Sequence, residues 1–155
     1  MSMLQDKQAT NKQVVDLMIP SEKVAHVQLN NPLEHALLVL VKSGYSAVPV
    51  LDTSYKLVGT IGKTAILNQT LGLERFEFEQ LSDMRVHEIM KRDIPRLTKE
   101  DTYVQALKTV INSPFVCVAD QEGYFDGIIT RRAILKQVRK EMYTLSSESE
   151  TNVTD

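Results

Sequence analysis

The sequence predicts an α/β fold, more fully α+β, made of two copies of one small unit, and three observations predict it. First, Val58-Gly59-Thr60-Ile61-Gly62-Lys63-Thr64-Ala65-Ile66-Leu67 returns 68 residues later as Asp126-Gly127-Ile128-Ile129-Thr130-Arg131-Arg132-Ala133-Ile134-Leu135. Second, Val15-Asp16-Leu17-Met18 returns as His87-Glu88-Ile89-Met90 at an offset of 72. Third, each copy carries apolar residues at i, i+3, i+4, i+7 and i+8: Leu33, Ala36, Leu37, Leu40 and Val41, then Tyr103, Ala106, Leu107, Val110 and Ile111. The change of offset requires only that the second copy be four residues shorter between these anchors. Such self-similarity marks a duplicated supersecondary unit.

The elements follow in order. Residues 1–13 read as an N-terminal arm, polar and frayed to about Thr10, with a short helix from about Asn11 to Met18 stopped by Pro20. Val14, Val15 and Met18 are expected to face inward. The first repeat, 14–70, continues with Val27 and Leu29 at strand spacing. Asn31 should cap the next helix with Pro32 at its first position, where a missing N–H costs little. That helix ends at Ser43-Gly44. Tyr45 to Asp52 is a strand that Pro49 would confine to an edge or an irregular pairing. Lys56 to Ile61 returns as its hairpin partner and the echo helix follows.

Residues 71–85 read as a connection without a counterpart in the repeat, apolar at Phe76, Phe78 and Leu81 and of ambiguous conformation. The second repeat, 86–140, keeps the order: a helix near Val86–Met90, Ile94 to Leu97, a helix over Thr102–Asn112, strands Phe115–Ala119 and Phe125–Ile129 about a turn at Gln121-Glu122-Gly123, and a last helix. Residues 141–155 read as a C-terminal tail, largely disordered, because Ser146 to Asp155 lacks apolar periodicity.

Bulk properties bound the function. At 155 residues, 43% hydrophobic and 25% charged, the chain matches one ordinary core or two small packed units of a globular protein. A net charge of −2 gives no basic surface for nonspecific nucleic-acid binding, and no apolar run approaches the ~20 residues that span a membrane. The N-terminus lacks the apolar core of a secretory signal. The lone Cys117 in an apolar run reads as a buried thiol of a cytoplasmic protein. His26, His35 and His87 lie far apart with no metal-ligand spacing, and no serine sits in a nucleophile elbow. Gly59 to Thr64 ends in Gly-Lys-Thr but lacks the glycine spacing of a hydrolase phosphate loop.

One stretch carries chemistry. Thr130 is placed to cap a helix that opens with Arg131 and Arg132, and a helix N-terminus with two guanidinium groups suits an anion, most simply a phosphate. Taken alone, the stretch reads first as a solvent-exposed arginine pair, and its echo at Val58 to Leu67 is what turns the reading toward an anion site. Tyr45 is either a strand-end core residue or an aromatic wall. Lys136, Arg139 and Lys140 read as a solvated helix face.

The repeated order, with Val15-Asp16-Leu17-Met18, Gly44-Tyr45-Ser46-Ala47-Val48-Pro49-Val50, Gly59-Thr60-Ile61 and Gly127-Ile128-Ile129-Thr130-Arg131-Arg132, resembles a tandem pair of CBS domains, the Bateman module, over residues 14 to 140. The resemblance implies two α/β units related by pseudo-twofold symmetry, clefts that bind adenine-containing ligands, and pairing of two modules into a homodimer. The chain looks most like the small stand-alone bacterial CBS proteins that bind cyclic di-AMP, hence a non-catalytic sensor that needs no cofactor. By the same resemblance one cleft would use the backbone of Lys23-Val24-Ala25 for an adenine edge, Tyr45-Ser46-Ala47 as lining, Ile129 against the base, and Thr130-Arg131-Arg132 for phosphate. The related cleft would use Pro95-Arg96-Leu97, Phe115-Val116-Cys117 and Gly62-Lys63-Thr64, with one cation where the first has two.

One departure from the family bears on ligand choice. Many nucleotide-binding CBS repeats carry an aspartate for the ribose hydroxyls where this chain has Ala65 and Ala133. That disfavours AMP or ATP, the alternative ligands, and leaves cyclic di-AMP, whose ribose 3′ oxygens are already esterified. A CBS dimerisation scaffold without a physiological ligand is the other alternative. The controlled partner protein is unidentified by the sequence, an alarmone synthetase/hydrolase being one candidate.

Overall fold

The computed structural model describes residues 12–71 and 79–153, with side chains to Ser146. The polar arm before residue 11, together with Phe76 and Phe78, lies outside the described residues. The elements are α1 (Val14–Leu17), β1 (Ile19–Pro20), β2 (Val27–Gln28), α2 (Leu33–Ser43), β3 (Ala47–Leu51), β4 (Leu57–Gly62) and α3 (Lys63–Asn68). They continue as α4 (Gln80–Asp83), α5 (Val86–Ile89), β5 (Arg96–Leu97), α6 (Tyr103–Thr109), β6 (Phe115–Ala119), β7 (Phe125–Thr130) and α7 (Arg131–Val153). Among the described residues no helix is long and apolar enough to cross a membrane.

These elements form two compact units that differ from the two sequence repeats. One, called unit A, takes residues 12–22, 95–118 and 126–153; unit B takes 23–71, 79–94 and 119–125. The short helix at the head of each repeat therefore closes on the sheet built by the other repeat. In unit A the sheet order is β1-β7-β6-β5, with β1 antiparallel to β7 through Ile19–Ile128 and Pro20–Gly127. In unit B the order is β2-β3-β4, and Lys91, just past α5, exchanges backbone bonds of 2.8 and 2.9 Å with Thr60.

The duplication is clearest in the two cores. Unit B buries Leu33, Ala36 and Leu40 of α2, Val48 and Val50 of β3, Ile61 of β4, Ile66 of α3 and Val86 of α5. Unit A buries Tyr103, Ala106, Val110, Val116, Val118, Ile129, Ile134 and Val14 at the corresponding places. Burying each large aliphatic chain contributes about 1.5–3 kcal/mol, so the same pattern read twice produces the same layer twice. The repeated glycines mark where the exchanged segment crosses. A Cβ on Gly127 (φ +153°) would stand inside contact distance of the Ile19 carbonyl oxygen, and one on Gly59 would meet the Lys91 carbonyl.

Local expectations divide. Gly44 ends α2 in the left-handed conformation (φ 76°), as a C-terminal glycine should. Asn31 does not cap α2: its Oδ1 accepts the Gln28 N–H at 2.7 Å, and Pro32 is the cap residue. Val15 is 41% exposed, because the one-turn helix turns Val14 into the core with Leu17 and Met18 packed against it, and Val15 falls on the opposite side. Pro49 is buried in β3, the middle strand, not an edge. It is tolerated because β2 pairs only with Val50 and Leu51, past the missing N–H. In the connection, α4 packs Leu81 into the unit B core. The tail expected to be disordered from 141 is helix to Val153; once packing of Ile134 and Val138 fixes the first turns, each further residue adds a hydrogen bond.

Candidate functional site

The residues singled out in the sequence fall in both units, and each unit contributes its own geometry. In unit A, β7 ends at Thr130 and α7 starts at Arg131. Thr130 Oγ1 accepts the Ala133 N–H at 3.0 Å, the cap its position predicts. The Arg131 N–H donates to the Pro114 carbonyl at 2.8 Å. Of the first three N–H groups of α7, that of Arg132 alone makes no bond. The unpaired donors of the helix start are thus mostly consumed, and its attraction for an anion comes chiefly from the guanidinium groups.

Those two guanidinium groups differ. Arg131 Nε donates to the Val110 carbonyl at 3.0 Å, an oxygen at the end of α6 that also accepts the Ser113 N–H at 3.3 Å, and this fixes the direction of the side chain. Among the described residues its Nη groups make no hydrogen bond. Arg132 is exposed, and its side chain makes no bond among the described residues. Both line an open groove of about 610 Å3 with Pro114, Leu135, Lys136 and Arg139. Lys136 and Arg139 are exposed, as expected of a solvated helix face, and their spacing of four and seven from Arg132 puts them on one stripe of the helix with it.

Ile129 does not belong to this surface. It is fully buried, packed among Val14, Leu97, Tyr103, Val116 and Ile134. Strand β7 is covered on both faces, so Ile128 and Ile129 are both enclosed and neither is left for a base. The residues expected to build the related cleft from unit A fare similarly: Leu97, Val116 and Cys117 are buried, while Pro95 and Arg96 are exposed. Burial pushes the Cys117 thiol up to about 12, with Arg96 pulling weakly the other way.

In unit B, Lys23 closes a 3-10 turn over Ser21–Lys23 and is exposed. Val24 is buried, and its carbonyl lies 3.1 Å from His26 Nδ1, a bond that requires the proton on that nitrogen. Ala25 is half-buried on the core, and among the described residues its backbone N–H and C=O make no bond. Tyr45 is 38% exposed and its N–H donates to Ser43 Oγ at 3.3 Å. Ser46 is exposed, and its carbonyl accepts the Lys63 N–H at 2.9 Å, the counterpart of the Pro114–Arg131 bond. Lys63 and Thr64 thus stand beside Ser46 and Ala47 within one unit. Among the described residues no group of three or more His, Cys, Asp or Glu side chains could hold a metal ion.

Comparison with known proteins adds to this geometry. The CBS domain family model matches residues 14–72 and 86–140. Cyclic di-AMP receptor B of Bacillus subtilis is 50% identical over 143 residues, covering 92% of this chain and 97% of that protein. A crystal structure of a CBS domain-containing protein from Bacillus anthracis is 58% identical, with a TM-score of 0.82 over 87% of this chain and 98% of that one. The CbpB protein of Listeria monocytogenes, crystallised in complex with c-di-AMP, is 46% identical, with a TM-score of 0.77 over 84% of this chain and 98% of that one.

Proposed function

The chain belongs to the CBS domain family, and from that premise we propose that it binds cyclic di-AMP and controls a partner protein according to occupancy, without catalysing a reaction. One observation carries the proposal. The arginine pair at the start of α7 faces an open groove, one guanidinium fixed and the other free, in a chain half identical over 92% of its length to a cyclic di-AMP receptor. Phosphodiesters take charge-assisted hydrogen bonds from such a pair. The unbonded backbone of Ala25 with Lys23 and Val24 serves the adenine edge, and Tyr45, Ser46 and Ala47 line the base. Ile129 acts from the core by holding β7, and thereby Thr130, in place.

Ligand choice follows from Ala65 and Ala133, which offer no acceptor to the 2′,3′-diol of a free nucleotide. A diol that enters such a site loses hydrogen bonds to water without replacement. Calorimetry on nucleotide-free protein, with all ligands at one salt concentration, tests this. Cyclic di-AMP should bind at least tenfold tighter than AMP or ATP, a difference of about 1.4 kcal/mol. A tighter AMP or ATP overturns the reading.

The same reading places the protein in the cytoplasm as a homodimer with closed twofold symmetry. Leu38 and Val41 on α2, and Ile111, Met142 and Tyr143 in unit A, are 50–77% exposed, and apolar surface of this kind is usually covered. A monomer mass by light scattering at micromolar concentration refutes the dimer. The partner proposed is an enzyme of alarmone synthesis or hydrolysis; its activity, assayed with this protein with and without cyclic di-AMP, should differ between the two conditions.

A further inference from the structure

The groove on α7 holds more positive charge than one phosphate requires. Arg131, Leu135 and Arg139 follow one another at four-residue steps, with Arg132 and Lys136 alongside. From Arg131 to Arg139 is two turns, about 12 Å of helix axis. Pro114 and the half-exposed Leu135 supply apolar surface in the same groove. Among the described residues none of these four cations meets a carboxylate, and the ion pair found there joins Lys99 to Asp126. Glu141, the one acidic side chain described on α7, bonds Tyr103 and Gln137 instead. Four cations spread along an open groove repel one another and attract counter-charge along its length.

We infer that Lys136 and Arg139 extend the anion site along α7, so that the groove engages two separated phosphates and discriminates a bis-phosphodiester from a mononucleotide. The inference rests on the cyclic di-AMP reading above and deepens it by naming the residues that recognise the second phosphate. Arg131 and Arg132 take the first phosphate at the head of the helix. Lys136 and Arg139 take the second one to two turns on. A monophosphate satisfies only one end.

The test is calorimetry of cyclic di-AMP and AMP on the full chain, wild type against Lys136→Gln and Arg139→Gln, at about 50 and 200 mM salt. Both side chains are exposed and, among the described residues, without a partner, so the melting temperature should stay unchanged. Each variant should bind cyclic di-AMP three- to tenfold more weakly, with AMP affinity altered less than twofold. The salt dependence of cyclic di-AMP binding should become shallower in each, because fewer cations remain to be screened. Wild-type protein that binds no cyclic di-AMP overturns the functional reading and this inference with it. Wild-type binding that both variants retain in full, or that they lose in equal proportion for AMP, overturns this inference alone.

Discussion

Arg131 and Arg132 stand side by side in sequence, yet the structure gives them different work, and substitution should separate the two. Arg131 Nε donates to the Val110 carbonyl at 3.0 Å, so Arg131→Ala removes a charged donor from a helix-end acceptor. A hydrogen bond to a charged group contributes about 1.5–3 kcal/mol when buried, and the exposure of this guanidinium reduces it to about 1 kcal/mol. For a chain of this size that lowers the melting temperature by about 3 °C. The Arg132 side chain makes no bond among the described residues, so Arg132→Met should leave the ligand-free melting temperature within about 1 °C. Each loss should weaken cyclic di-AMP by roughly tenfold to a hundredfold, or about 1.4–2.8 kcal/mol. Arg131→Ala should fall at the larger end, because Val110 already holds that side chain and binding need not order it. Arg131→Lys is the sharper probe. One ammonium cannot serve the Val110 carbonyl and a phosphate together as the forked guanidinium does, so affinity should stay near that of the alanine variant. Scanning fluorimetry of ligand-free protein and calorimetry of the complex measure both quantities. Arg132→Met that destabilises the free protein as much as Arg131→Ala, or Arg131→Lys that binds at full strength, refutes this division of roles.

Gly127→Ala should cost about 3–5 kcal/mol in urea unfolding, since the new Cβ meets Ile19 and Pro20 backbone and the backbone is strained; Gly44→Ala, strained at φ 76° but in open space, should cost about 1. Equal costs would remove the crossing segment as the cause. Cys117 stays protonated in the native state up to about pH 12, whereas the unfolded thiol ionises near 9.0. Stability should therefore fall as pH rises through that window, by up to about 1.4 kcal/mol per unit, and the fall should be shallower in Cys117→Ala. Burial raises Tyr103 too, helped by Glu141, so some alkaline slope should survive the substitution. Ala133→Asp should weaken cyclic di-AMP and narrow its advantage over AMP; an unchanged ranking removes the absent carboxylate from the explanation.

Much of this was legible in the sequence because a duplication supplies two readings of each element. Gly44, Thr130 and the strand Phe115–Ala119 lie where local chemistry puts them, since a C-terminal glycine, a cap hydroxyl and a β-branched run are all decided by near neighbours. What could not be read was nonlocal. The order of elements is identical whether Val14 closes on its own repeat or the other one, and only tertiary packing sends Val14 to unit A and Val86 to unit B. Pro49 signalled an edge because its missing N–H is a local fact, whereas the two-residue length of β2 that excuses it is not. Ile129 beside Thr130 looked available to a ligand for the same reason. Period-two alternation assigns one face of a strand to a core, and a strand covered on both faces breaks that rule.

The helix starts of this chain give a last argument for a site that keeps its positive field. The third residue of a helix is a favoured place for an acceptor that folds back onto the cap residue's N–H, and a carboxylate there also complements the helix dipole. Three helices use it. Asp16 accepts the Gln13 N–H at 3.0 Å, Glu88 accepts that of Arg85 at 2.6 Å, and Gln105 accepts that of Thr102 at 2.9 Å. The corresponding residues of α3 and α7, the helices that open with Lys63 and with Arg131-Arg132, are Ala65 and Ala133. A carboxylate at Ala133 would steady the first turn by about 0.3–1 kcal/mol, but it would also stand next to Arg132 and neutralise it. Stability alone therefore favours the acid. Alanine leaves both guanidinium groups without a carboxylate beside them, as the proposed phosphate site requires, and it ties the missing ribose acceptor and the arginine pair to a single cause.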